Sequence, residues 1–309
     1  VNRPGILIIG AGMVGSSCAA SIASRRLGNV YLYDITKDLA VGRSLDINHF
    51  LPSRGSDSFV IGCNRLEDAI PADIIVITAG LARKAGMTRL DLLRHNAEVI
   101  GSLAPKINSL CPSAKVLIVT NPVDVITWYF KKLCPGMQAF GLGCSLDMVR
   151  FQYLIAQAAG VSSESVSAMV IGTHDDSMIP LTSRATIGSI PMEMILGAEA
   201  VSEIVTMTRT AGSTIVNLMK EHSGHYAAGE ITAQIVESIA QDRKKVFPVS
   251  IKATGEYGYK DICLALPSIL DETGVRKVIE LELNEQERIA LNACALSITR
   301  QIESLKGLI

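Results

Sequence analysis

The chain has 309 residues, 48% of them apolar, and its 29 basic residues against 30 acidic ones leave a formal net charge of −1. Charge this evenly mixed excludes nucleic acid and an anionic membrane surface as partners, and no apolar run approaches the roughly 18–20 residues of a membrane span. The length suits two packed domains, and the apolar surplus predicts a buried face between copies, hence a homo-oligomer, dimer or tetramer.

The first strand expected is Ile6-Leu7-Ile8-Ile9, apolar throughout, as a parallel strand covered on both faces should be. No basic-then-apolar leader precedes it, so no targeting signal is visible. Gly10-Ala11-Gly12-Met13-Val14-Gly15 follows at once, then a helical pattern from Ser16 to Arg26. In this strand–turn–helix setting Gly10 allows the tight turn, Gly12 lets backbone approach a pyrophosphate, and Gly15 lets helix and strand pack closely. The helix N-terminus turns its unpaired N–H groups toward the phosphates. A second strand, Val30–Tyr33, ends in Asp34, 19 residues after the last glycine. A carboxylate there accepts from the adenosine ribose hydroxyls and repels a 2′-phosphate, so the cofactor expected is NAD rather than NADP.

Helix and strand patterns then alternate: a helix over Thr36–Asn48, strands at Phe59–Ile61 and Ile74–Ile77, a helix from Leu90 to Ile107, and a strand at Lys115–Val119 ending in Thr120-Asn121-Pro122. Repeated β–α units of this length predict a doubly wound parallel sheet, with its ligand at the carboxyl ends of the strands. Between Ile77 and Leu90 lie Arg83 and Arg89, on a stretch with glycine at both ends. Each guanidinium fits a carboxylate in two-point fashion. The pair reads as a clamp for a small, doubly anionic molecule, or else as a solvated basic loop. Asn121 stands where it can bond a substrate oxygen or the nicotinamide region, or it simply stops a strand before proline.

The second half opens with a helix from Ser145 to Ala159, stopped by Gly160, on which Asp147 and Arg150 share a face. A strand over Val166–Ile171 delivers Gly172-Thr173-His174-Asp175. A histidine is the natural proton carrier near neutral pH, and a carboxylate on one ring nitrogen fixes its tautomer; Asp147 is the candidate partner. Long helices are expected at Glu199–Glu221 and Ala227–Arg243. Strands follow at Val246–Thr254, Ile262–Ile269 and Val275–Glu280, and a last helix from Asn284 to about Lys306. Seven scattered cysteines form no C-x-x-C, and His222 and His225 have no third ligand nearby. The reading is of reduced thiols, a cytoplasmic location and no metal.

Five motifs occur in order: Gly-Ala-Gly-Met-Val-Gly, Arg-Lys-x-Gly-Met-Thr-Arg-x-Asp-Leu-Leu, Thr-Asn-Pro-Val-Asp, Leu-Asp-x-x-Arg and Gly-x-His-x-Asp-Ser-Met. Together they resemble the lactate/malate dehydrogenase family over essentially the whole chain, and most closely its lactate-dehydrogenase-like malate branch. The resemblance implies an α/β fold: an N-terminal Rossmann domain over residues 1–145 with a doubly wound parallel sheet, and a C-terminal mixed α+β substrate domain over residues 146–309. It implies that His174 takes the proton from the substrate hydroxyl as hydride leaves for NAD, with Asp147 stabilising the protonated ring. Arg150 would hold the C1 carboxylate, Arg89 would polarise the carbonyl oxygen, and Asn121 would bond that oxygen. Backbone at Val119, Thr120 and Asn121 and the side chain of Asn96 would touch the cofactor.

Substrate choice falls on Arg83. Lactate enzymes of this family resemble one another in having glutamine there, and malate enzymes in having arginine. Oxaloacetate carries a second carboxylate, which a dry pocket tolerates only when paired, so malate is expected over lactate. Two positions depart from the usual pattern. Ala85 replaces a common proline in the loop, and Asp175 replaces a common glycine beside the histidine, where it bears on the ring's titration. Rival readings are a lactate or other 2-hydroxyacid dehydrogenase, which Arg83 opposes, and an NAD-binding sensor or structural subunit without turnover, which the presence of His174 and Arg89 opposes.

Overall fold

The computed structural model describes residues 3–69, 71–81, 88–220 and 224–305, with only the backbone at Arg89. Its first half alternates strand and helix. In order these are β1 (Gly5–Ile9), α1 (Met13–Ser24), β2 (Asn29–Tyr33), α2 (Leu39–Phe50), β3 (Val60–Cys63), β4 (Ile74–Ile77), α3 (Arg89–Leu110), β5 (Lys115–Ile118), α4 (Val123–Leu133) and β6 (Gln138–Gly141). β1 and β4 are buried along their whole length, which is why they read as unbroken apolar runs. α2 starts three residues later than its sequence pattern suggests, because Asp38 takes a left-handed φ of 62° before it. α3 opens on a reciprocal cap, Thr88 with Asp91, that places Arg89 as its first residue rather than in the preceding loop.

The second half supplies α5 (Ser145–Ala159), β7 (Val166–Ser167), β8 (Val170–Ile171), β9 (Ile179–Pro180), β10 (Thr186–Ile187), β11 (Ile190–Pro191), α6 (Met192–Met219), α7 (Tyr226–Ala240), β12 (Lys245–Thr254), β13 (Lys260–Asp271), β14 (Gly274–Val278) and α8 (Glu285–Leu305). Two expectations need correcting. Val166–Ile171 is not one strand: β7 joins β10 and β11, whereas β8 pairs with β9, so the chain changes sheet between Ser167 and Val170. α6 begins at Met192, after Pro191, and kinks at Gly197 (φ 75°); its regular part starts where the pattern at Glu199 becomes helical.

One nine-stranded sheet, in the order β3-β2-β1-β4-β5-β6-β12-β13-β14, runs through both halves. It is parallel from β3 to β6 and antiparallel beyond, joined by the pairing of Ser250 with Gly141. A single apolar cluster extends from Ile6 in β1 to Ile302 in α8, and a smaller one lies between α5 and α6 around Phe151 and Ile155. α1 packs on α7, where Arg25 pairs with Glu230 and, at 2.6 Å, with Glu237. No helix among the described residues is long and apolar enough to cross a membrane.

Candidate active site

The parallel strands end level with one another. Ile9 is the register partner of both Tyr33 and Ile77, Ile77 of Ile118, and Ile118 of Gly141. Gly10, Asp34, Thr78, Val119 and Leu142 therefore each lie one step past the same line, the edge at which such sheets bind ligands. The row continues into the second half: Gly141 pairs with Ser250, Ser250 with Ala265, and Ala265 with Gly172. The Gly172–Ala265 bridge is closed by backbone hydrogen bonds of 2.9 and 2.7 Å. His174, two residues past Gly172, is thereby carried to the edge that holds the glycine turn.

At that turn Gly10 has φ 110°, a conformation that a side chain would strain. A Cβ on Gly15 would stand 1.9 Å from the carbonyl oxygen of Gly10, so α1 closes on β1 only with glycine there. A Cβ on Gly12 would meet nothing within 4 Å. That space leaves room for a phosphate to approach the backbone of Gly12. Asp34 accepts the backbone N–H of Ala11 at 2.7 Å and that of Thr36 at 2.8 Å, which ties its carboxylate to the turn. This local geometry fits a dinucleotide.

Thr120 donates to the carbonyl of Ala79 at 2.7 Å and is 5% exposed. The Asn121 side chain is exposed at the edge, after β5, and its peptide bond to Pro122 is cis. Asn96 is fully buried, its Oδ1 accepts from Leu81 N–H (2.8 Å), and its Nδ2 donates to the carbonyls of Asn121 (2.6 Å) and Leu81 (3.2 Å). Its amide thus ties together the segments that follow β4 and β5 at the sheet edge.

The His174–Asp147–Arg150 pairing is present as a chain of contacts. Nδ1 of His174 lies 2.6 Å from one oxygen of Asp147, and a guanidinium nitrogen of Arg150 lies 3.0 Å from the other. Asp147 is wholly buried, while the side chains of His174 and Arg150 keep 15% and 16% exposure. Burial opposes charge on the imidazole, but the charge and hydrogen bond of Asp147 outweigh it and raise the pKa of His174 above the ordinary histidine value. Burial also opposes ionisation of Asp147, yet the charges and hydrogen bonds of His174 and Arg150 hold its carboxyl below the usual range. Because Nδ1 is taken by Asp147, Nε2 is the ring nitrogen that can exchange a proton with a substrate. Gly212 of α6 passes close over Arg150: a Cβ there would lie 3.5 Å from the guanidinium.

Two further polar groups stand beside this chain: Asp124, which carries no role from the sequence, and Asp175, expected to bear on the ring's titration. Asp124, 4% exposed in the first turn of α4, accepts the backbone N–H of His174 at 2.9 Å and the hydroxyl of Ser250 at 2.6 Å. An aspartate at that place reads as an ordinary helix-dipole partner, and only the return of β12, more than a hundred residues later, buries it. Asp175 turns its Oδ1 back onto Thr173 Oγ1 (2.9 Å), Ser177 N–H (2.9 Å) and Ser177 Oγ (2.5 Å), so it caps its own turn. Arg83, Ala85 and His222 lie outside the described residues, as does the side chain of Arg89. Among the described residues no cluster of His, Cys, Asp and Glu could hold a metal ion, and all seven cysteines are buried and unpaired.

Comparison with known proteins gives the same outline. Residues 5–140 match the family model described as the lactate/malate dehydrogenase NAD binding domain, and residues 144–308 match that of the lactate/malate dehydrogenase alpha/beta C-terminal domain. The malate dehydrogenase of Roseiflexus sp. is 40% identical over 308 residues, covering 99% of this chain and 100% of the relative. The malate dehydrogenase of Cryptosporidium parvum superposes with a TM-score of 0.95 at 34% identity, covering 99% of each chain. The lactate dehydrogenase of the same organism, solved with lactic acid and nicotinamide adenine dinucleotide, superposes with a TM-score of 0.94 at 32% identity, covering 99% of this chain and 98% of that one. With both family models matched across nearly its full length, the chain belongs to the lactate/malate dehydrogenase family.

Proposed function

We propose that this chain is an NAD-dependent malate dehydrogenase that interconverts malate and oxaloacetate. The observation that carries the reading is the carboxylate of Asp147, with one oxygen on His174 and the other on Arg150. One buried group thus orients both a proton carrier and a carboxylate fork, at the sheet edge where the glycine turn and Asp34 stand. The Gly10–Gly15 turn and Asp34 would hold NAD, which would supply the hydride acceptor.

The chain's own groups do the rest. His174 takes the hydroxyl proton at Nε2 when malate is oxidised and returns it to the carbonyl oxygen of oxaloacetate in reduction. Asp147 fixes the tautomer and compensates the charge of the protonated ring. Arg150 forks the C1 carboxylate, Arg89 and Asn121 bond the oxygen at the reacting carbon, and Arg83 pairs with the second carboxylate. Turnover needs Arg83 as well as Arg150, since each carboxylate of a dianion in a dry pocket needs its own counter-charge. We divide the chain near residue 145 into a cofactor domain and a substrate domain.

We extend the reading to a cytoplasmic homotetramer serving the tricarboxylic acid cycle. Exposed apolar side chains such as Leu45 and Phe50 on α2 and Ile195, Met207 and Leu218 on α6 support an assembly that covers them. Light scattering on the purified chain measures its mass. The activity is tested by following NADH oxidation with oxaloacetate and with pyruvate side by side, then with NADPH. Fast turnover with oxaloacetate and NADH alone is expected. A preference for pyruvate would transfer the reading to a lactate dehydrogenase, and NADH binding without turnover would leave a non-catalytic subunit.

A further inference from the structure

Asp124 belongs neither to the arginine loop nor to the His174–Asp147–Arg150 chain, yet it joins three parts of the site: α4, β12 and the turn after β8. It stands in the first turn of α4, three residues after Asn121. One oxygen accepts the N–H of His174, and the other accepts the hydroxyl of Ser250, itself fully buried in β12. We infer that Asp124 is a positioning residue for proton transfer: it fixes the backbone of His174 and, as a second anion beside Asp147, holds the imidazole toward its protonated form. The inference rests on the reading of His174 as the proton carrier.

The mechanical part of this task needs no charge. An asparagine would offer its carbonyl to His174 N–H and its amide N–H to the Ser250 oxygen. A buried carboxylate carries a desolvation cost that the amide lacks, so its negative charge calls for a partner. The groups facing it are Ser250 of β12, Cys263 of β13, Cys144 ahead of α5, and His174 and Asp175 of the turn after β8. Of these only His174 becomes a cation. Both thiols are pushed up and stay protonated, Asp175 adds repulsion, and Arg150 is bonded to Asp147.

Burial pushes Asp124 up to about 6, against the opposing hydrogen bonds of Ser250 and His174 and the imidazole's charge. Its titration is therefore coupled to that of the histidine. Protonating Asp124 removes an anion and weakens proton binding at His174, so the ring titrates over a wider span than a single proton would.

The test is the pH profile of kcat/KM for malate oxidation, whose acid limb reports the free enzyme's base. Asp124→Asn is expected to move that limb to lower pH by about half a unit and sharpen it to a one-proton slope. Ser250→Ala, which removes a hydrogen bond from the ionised carboxylate, moves it the same way by less. NMR titration of the His174 ring should follow both shifts. Limbs and titrations that coincide with wild type while kcat falls would reduce Asp124 to a strut and overturn the inference. Where Asp124→Asn yields no folded protein, Ser250→Ala decides by the same criterion. A wild-type chain with no malate oxidation would instead remove the proposed function, and the ring titration would still decide the role of Asp124.

Discussion

The glycine turn and the imidazole cradle lie along one sheet edge, but they are assembled over very different lengths of chain. The turn is complete between Gly10 and Asp34, whose carboxylate reaches back to Ala11 at 2.7 Å. The cradle draws Asp124, Asp147, Arg150, His174 and Ser250 from four separate elements, and it exists only once β12 has joined β6. The first region needs two neighbouring strands and a helix, the second the whole sheet. Binding and proton transfer should therefore separate under mutation.

The largest separation is expected at His174. His174→Asn should lower kcat in both directions by about 10²–10⁴-fold, the usual worth of a general acid–base group. NADH affinity, followed by fluorescence, should stay within a factor of two or three, since the ring's hydrogen bond runs to Asp147 and not to the glycine turn. A parallel loss of NADH binding would mean that the two regions are one cooperative unit.

Next is the charge proposed to select the substrate. Arg83→Gln should lower kcat/KM for oxaloacetate relative to pyruvate by at least about tenfold. Losing one partner of a buried charge pair costs about 2–5 kcal/mol, and every 1.4 kcal/mol is tenfold. Steady-state kinetics on both keto acids measure this, and an unchanged ratio would remove Arg83 from its role. Here the comparison sharpens: NADH binding should again hold, because the partner proposed for Arg83 is the substrate's second carboxylate and not the cofactor.

The glycines divide the turn itself. Gly15→Ala places a methyl 1.9 Å from the Gly10 carbonyl oxygen and should cost about 1–3 kcal/mol of stability, read as a lower Tm. Gly12→Ala meets no protein atom, so its Tm should hold while its KM for NADH rises about tenfold or more. Equal effects of the two substitutions on Tm would show that the space over Gly12 is not reserved for the cofactor.

What the sequence reveals follows the same division. The glycine spacing, Asp34 and the all-apolar strands β1 and β4 are local signals, and each lies where its pattern indicates. The pairing of Asp147 with Arg150 is legible from helical spacing, and that of Asp147 with His174 from the chemistry a proton carrier needs. Asp124 and Asn96 are not legible as what they are. Each is polar and unremarkable in its own segment, and its burial is decided by chain that folds against it from elsewhere. The sheet change between Ser167 and Val170 is hidden for a related reason: a run that looks like one strand is cut by the choice of two different pairing partners, β10 and β9.

The last effect expected is thermodynamic, and it returns to the cradle. The ordinary aspartate value is 3.8, and in the fold Asp124 stands at about 6. Between those values the folded state binds a proton that the unfolded chain has released, so this group's stabilisation is present at low pH and is lost as pH rises from about 4 to about 6. Asp124→Asn has no such loss. The Tm of the variant minus that of wild type should therefore increase from pH 4 to pH 7, by a free energy of at most about 3 kcal/mol, a few degrees for a chain of this length. His174, with its pKa raised above 6.5, acts in the same sense over a higher window, contributing below about pH 6.5 and fading as pH passes its folded value. In Asp124→Asn that contribution is smaller, by the roughly half a unit through which the ring's titration moves, and this adds to the same trend. Thermal unfolding at intervals from pH 4 to pH 8 gives the two curves, and parallel curves would mean that the carboxyl of Asp124 titrates in the fold as it does in the open chain.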